Sequence, residues 1–156
     1  MPEKNRDCLA CALASSRAPP PGGTLLRTPH WTVEHCVGTL GLGTLIVKPL
    51  RHITGVHELG VEEGAELGPL LARVTTAVRT AVGEECEQVY VCLWSHAGRV
   101  PGHIHFVVQP ARTADIDRHG GAYGPGLQTA MLDEGAEPEQ SAVEEFCARV
   151  RRALRD

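Results

Sequence analysis

At 156 residues, 42% hydrophobic and 22% charged, the chain has the make-up of one soluble domain that buries a core without covalent staples. A net charge of -4 argues against a broad nucleic-acid-binding surface and leaves room for a local anion site. No apolar run approaches the roughly 20 residues that span a bilayer. The N-terminal stretch Met1–Asp7 leads into no signal-peptide core, so the expected compartment is the cytoplasm and no membrane partner is expected.

Cys8 and Cys11 form a tight pair near the N-terminus, while Cys36, Cys86, Cys92 and Cys147 are scattered and read as buried, reduced thiols. The Pro- and Gly-rich stretch 12–24 reads as a surface connection. Thr24–Thr28 and His30–Cys36 then read as short strands separated by Pro29, with Trp31, Val33 and His35 on one face. Gly38–Gly43 is a turn, and Thr44–Val47 is a buried strand stopped by Pro49.

Val61–Val82 carries Leu67, Leu70, Leu71, Val74 and Val78 at helical spacing, opens on Glu62 and Glu63, and ends at Gly83. Pro69 inside it predicts a kink or a later start. Val89–Trp94 and Gly102–Gln109 read as further strands. A polar, Gly-rich stretch follows Pro110, with a short helix around Leu127–Leu132. Ser141–Leu154 is a C-terminal helix with a stripe of Val143, Phe146, Val150 and Leu154. The sum is one α+β domain over residues 1–156: an antiparallel sheet of about five strands, a central helix packed on it and a C-terminal helix.

Chemistry concentrates at Gly98–Pro110. His103 and His105 lie two apart in a strand-like run after a loop rich in Gly and Pro, so they face one way while Ile104, Phe106 and Val108 face the other. Cys8-Leu9-Ala10-Cys11 admits three readings: a zinc site, reduced thiols without metal, or a redox pair. The redox reading wants a strand ahead of the pair, and none is visible. The zinc reading needs two more ligands, and His52 and His103 are the evident suppliers. Such a Cys2His2 set is closed and therefore structural. His30, His35, His57 and His119 read as surface or strand histidines. Trp31 and Leu45 are candidates to wall a pocket, with core packing the simpler role.

Together these residues resemble the histidine triad superfamily of nucleotidyl hydrolases and transferases, whose signature is His-φ-His-φ-His-φ-φ with φ apolar. The similarity runs from Cys8 to about Pro110: the Cys-x-x-Cys start, Gly43-Thr44-Leu45-Ile46-Val47-Lys48-Pro49 followed by Arg51-His52, the central helix, and the Gly98…His103-Ile104-His105 segment. Residues 111–156 add little to it.

The resemblance implies zinc on Cys8, Cys11, His52 and His103, and a nucleophile at His105. It implies a phosphate-facing loop containing Gly98, Arg99 and Gly102, and commonly a homodimer. His96 and Gln109 are added as candidate substrate contacts. The chain departs from the pattern twice. The third histidine position is Val107, as it is not histidine in the uridylyltransferase branch either. The stretch Val37–Leu42, where hydrolase members often place a ribose-binding Asp, has no acid, and Glu34 is the nearest substitute.

The expected function is hydrolysis of nucleoside phosphoramidates, nucleotide anhydrides or dinucleoside polyphosphates through a nucleotidyl-His105. A transferase or phosphorylase using the same intermediate, and a nucleotide-binding protein without turnover, are the alternatives.

Overall fold

The computed structural model describes residues 8–95 and 102–156. The strands are β1 (Thr24–Arg27), β2 (Trp31–His35), β3 (Leu45–Pro49), β4 (Cys86–Cys92) and β5 (Phe106–Arg112). All neighbouring strands pair antiparallel, in the order β1-β2-β3-β5-β4. The helices are α1 (Leu9–Ala14), α2 (Val61–Val82), α3 (Thr113–Arg118), α4 (Gly124–Asp133) and α5 (Gln140–Ala153). The α+β architecture matches the sequence expectation.

Alternation along the strands divides the sheet into two unlike faces. Trp31, Val33, Leu45, Val47 and Val108 are fully buried on one face. They share a core with Leu70, Val74 and Val78 of α2 and with Val143, Phe146 and Val150 of α5. Trp31 and Leu45 therefore belong to this core and not to a ligand pocket. His35 lies on the same face, its ring edge-on to Phe146 at 6.5 Å between centroids. Its neutral form is wired in: Nδ1–H donates to the Cys36 carbonyl at 3.0 Å, and Nε2 accepts from Gly43 N–H at 3.0 Å. Burial pushes its pKa below the ordinary histidine value. Gly43 has φ +91°, and a Cβ there would lie 3.0 Å from Phe146 Cζ, so the turn into β3 requires glycine.

Several boundaries differ from the sequence reading. The last strand starts at Phe106 and runs through Pro110 to Arg112 instead of spanning Gly102–Gln109. β3 pairs with β5 only over Phe106–Val108, so Pro110 is paired on one side, where its missing donor need not break a ladder. Helix α2 runs unbroken through Pro69 and starts at Val61. Cys86–Cys92 replaces Val89–Trp94 as the fourth strand. Helices α1 and α3, of six residues each, have no counterpart in the sequence reading, being too short to show a periodic stripe.

Candidate metal cluster and adjoining cavity

Cys8 is the N-cap of α1, and the first turn of that helix sets Cys11 beside it. Two further segments converge on the pair. One is the loop after β3. Arg51 holds this loop to α2 through Glu63 at 2.7 Å, and the same carboxylate accepts from Gly60 N–H at 2.7 Å. The other is the approach to β5, tied to that loop by Ile104 N–H donating to the Ile53 carbonyl at 2.9 Å. These ties bring His52 and His103 together, with ring centroids 5.2 Å apart.

One ligand atom from each of Cys8, Cys11, His52 and His103 falls within a sphere of contacts no wider than 4.8 Å. Cys11 Sγ lies 3.3 Å from both His52 Nδ1 and His103 Nδ1. The sulfur–nitrogen edge of a tetrahedral zinc site is about 3.5 Å for the usual bond lengths, so the donor set fits that ion. The histidine tautomer agrees. Because a carbonyl only accepts, the 2.7 Å contact between His103 Nε2 and the Pro49 carbonyl puts the proton on Nε2 and leaves the Nδ1 lone pair for a metal. Burial pushes the His103 pKa down to about 4, which keeps the ring neutral. Without metal, burial and the neighbouring Cys8 push the Cys11 thiol up to about 11. All six cysteines are free thiols. The Cys8–Cys11 pair thus sits in a four-donor set.

A cavity of about 440 Å³ adjoins the cluster. Leu9, Leu13, Val37, Leu40, Ile46 and Trp94 give it apolar walls, and Gly102, His103 and His105 line it as well. His105 Nδ1–H donates to the His103 carbonyl at 3.1 Å, so Nε2 is the unprotonated nitrogen. The floor is polar. Glu34 and Lys48, 2% and 1% exposed, form a buried ion pair through Glu34 Oε1 and Lys48 Nζ. Burial raises the Glu34 pKa, and Lys48 and His105 pull it back down.

Of the other sequence candidates, Gln109 is buried and lines a separate cavity with Arg112, Asp115 and Arg118. Gly98, Arg99 and His96 lie outside the described residues. His30 is paired with Glu66 at 2.8 Å and His119 with Glu134 at 2.7 Å, both away from the cavity. Lys48 and Trp94 were not singled out from sequence. Period-2 alternation from Glu34 and across to Ile46 was the available signal for Lys48.

A zinc-bound histidine triad family protein from Mycobacterium smegmatis superposes with a TM-score of 0.70 at 20% identity, covering 97% of this chain and 95% of that one. This chain has the histidine triad fold. A hypothetical histidine triad nucleotide-binding protein from Sulfolobus tokodaii shares it at a TM-score of 0.67 and 18% identity, over 95% and 92% of the two chains. A HIT family hydrolase from Legionella pneumophila does so at 0.53 and 17%, over 69% and 95%. No family model and no curated protein matches the chain by sequence. No helix among the described residues is long and apolar enough to cross a membrane.

Proposed function

We propose that this protein is a nucleotidyl hydrolase with a structural zinc on Cys8, Cys11, His52 and His103. The substrates would be nucleoside phosphoramidates, nucleotide anhydrides or dinucleoside polyphosphates. The observation that carries the reading is His105, whose Nδ1–H is fixed on the His103 carbonyl so that Nε2 is left as a nucleophile lining an apolar-walled cavity. The histidine triad fold and the names of its structural neighbours support the substrate class.

In the first step Nε2 of His105 attacks the α-phosphorus. A P–N bond forms, and the bond to the leaving group breaks. The leaving group departs with that electron pair and takes up a proton from water. In the second step water attacks phosphorus, and the P–N bond breaks with its electron pair returning to Nε2. The proton released by the attacking water neutralises the hydroxide left by the first step, and the nucleoside monophosphate leaves. Gly102 lines the cavity, and a backbone N–H there would suit the charge that develops on the phosphoryl oxygens. Zinc, when bound, supplies a crosslink between α1, the loop after β3 and the approach to β5. His103 transmits that rigidity to His105 two residues on.

A transferase or phosphorylase reading is favoured by one observation. Val107 stands at the third triad position, paired with Ile46 and Cys92, and offers no proton for a leaving group. The test is nucleotide release from adenylyl and guanylyl phosphoramidates, anhydrides and dinucleoside polyphosphates by wild type and His105→Ala, with and without an added acceptor. Turnover lost in the variant at unchanged zinc content supports the hydrolase. Turnover only with acceptor supports the transferase. No release under either condition contradicts both.

A further inference from the structure

The floor of the cavity holds a feature that neither the fold nor the phosphoryl chemistry explains. Glu34 is 2% exposed, and among the described residues its Oε1 is engaged by Lys48 while its Oε2 is buried without a hydrogen-bond partner. A buried ion pair is a poor source of stability, because desolvation offsets most of the attraction. A buried carboxylate oxygen left unpaired is a further cost. The two side chains project from the sheet face opposite the core, in register with Ile46 and Thr32, where apolar or small side chains also occur. Packing alone does not call for charges there.

Both groups line the same cavity as His105. Val47 pairs with Phe106 at the end of the β3–β5 ladder, and Lys48 and His105 are the next residues beyond it, both lining the cavity. The pair therefore faces whatever is attached to the phosphate that His105 attacks. A carboxylate oxygen only accepts and an ammonium only donates. The ligand group that satisfies both presents an N–H or O–H donor next to an oxygen acceptor.

We propose that Glu34 Oε2 and Lys48 Nζ are specificity-determining groups that read a donor–oxygen-acceptor edge of the nucleoside. Two parts of a nucleotide have that chemistry. One is the N–H/C=O edge of a lactam base such as guanine; the other is the vicinal diol of ribose. Adenine, with a ring nitrogen as acceptor, matches the base arm less well. This inference rests on the nucleotide reading of the cavity given above.

The experiment is calorimetric binding of GMP, AMP and 2′-deoxy-GMP to the zinc-loaded protein, alongside the His105-dependent turnover assay. Wild type is expected to prefer GMP by about tenfold or more over at least one of the other two, because the wrong ligand leaves a buried polar group unpaired. AMP as the weak ligand assigns the base edge, and 2′-deoxy-GMP assigns the diol.

The double variant Glu34→Leu with Lys48→Met replaces the pair by apolar side chains of similar size, a change that buried ion pairs commonly tolerate. It is expected to fold and to bind all three ligands within about twofold of one another. Glu34→Gln, which keeps the shape but turns one oxygen into a donor, is the second variant and is expected to narrow the preference as well. Wild-type preference below twofold in both arms overturns the inference while leaving His105 chemistry intact. So does a preference that survives in the variants that fold. No binding of any nucleotide by wild type overturns the inference together with the reading beneath it.

Discussion

The two faces of the sheet are built from the same strands and behave as different materials. On the α2/α5 face, residues such as Val33, Val47 and Val108 are fully buried among other apolar side chains. On the opposite face, Glu34, Ile46 and Lys48 border a cavity that also takes in His105. Strand alternation lets one short segment serve both: in β2, Val33 packs the core while Glu34, the next residue, faces the cavity. The lesson is that stability and chemistry are separated by a single residue step, so substitutions on the two faces should fail in different ways.

The largest effect on folding should come from the core face. Phe146 is fully buried between α5 and the sheet, and Phe146→Ala should cost about 3–5 kcal/mol in urea unfolding. The rate per folded molecule should stay close to wild type. A variant that loses rate but not stability would break the division between faces.

Next in size is the cluster that joins the cavity to the N-terminal segment. Cys11 lies 3.3 Å from both histidine ligand atoms, so Cys11→Ser should abolish stoichiometric zinc, read by atomic emission, and cost on the order of 2 kcal/mol. Zinc content equal to wild type would remove Cys11 from the ligand set.

Much of this separation was legible in the chain, and the reasons are specific. Leu70, Val74 and Val78 repeat at helical spacing over 22 residues, long enough for the period to stand out through Pro69. The four clustered side chains were legible because cysteines three apart and histidines beside strand ends are few, and their chemistry narrows the choice. Helix α1 was not legible: Leu9–Ala14 gives less than two turns, and its apolar residues follow no stripe. The strand bearing Gln109 was misplaced because Pro110 reads as a stop, yet one-sided pairing carries β5 past it. Lys48 escaped notice because a lysine in a strand ordinarily faces water, and only tertiary structure shows it beneath a cavity, held by Glu34.

The smallest effect concerns pH, and it sharpens the core side of the comparison. His35 is buried as the neutral ring, its pKa below the ordinary value, so above about pH 6.5 neither folded nor unfolded protein binds a proton there. As pH falls below that value the unfolded chain takes up the proton first, and stability is lost. Urea midpoints measured between pH 8 and pH 5 should fall with pH, and less steeply in His35→Gln than in wild type. Parallel slopes would show that His35 is not held neutral by the fold.

The most direct test of the central claim is a base-quenched reaction of the zinc-loaded protein with a nucleoside phosphoramidate or anhydride, followed by intact-mass and peptide-mass analysis. The account predicts a mass increase of one nucleotidyl group on the peptide containing His105, absent from His105→Ala. Turnover with the adduct on another residue, or an adduct that persists in His105→Ala, would contradict it.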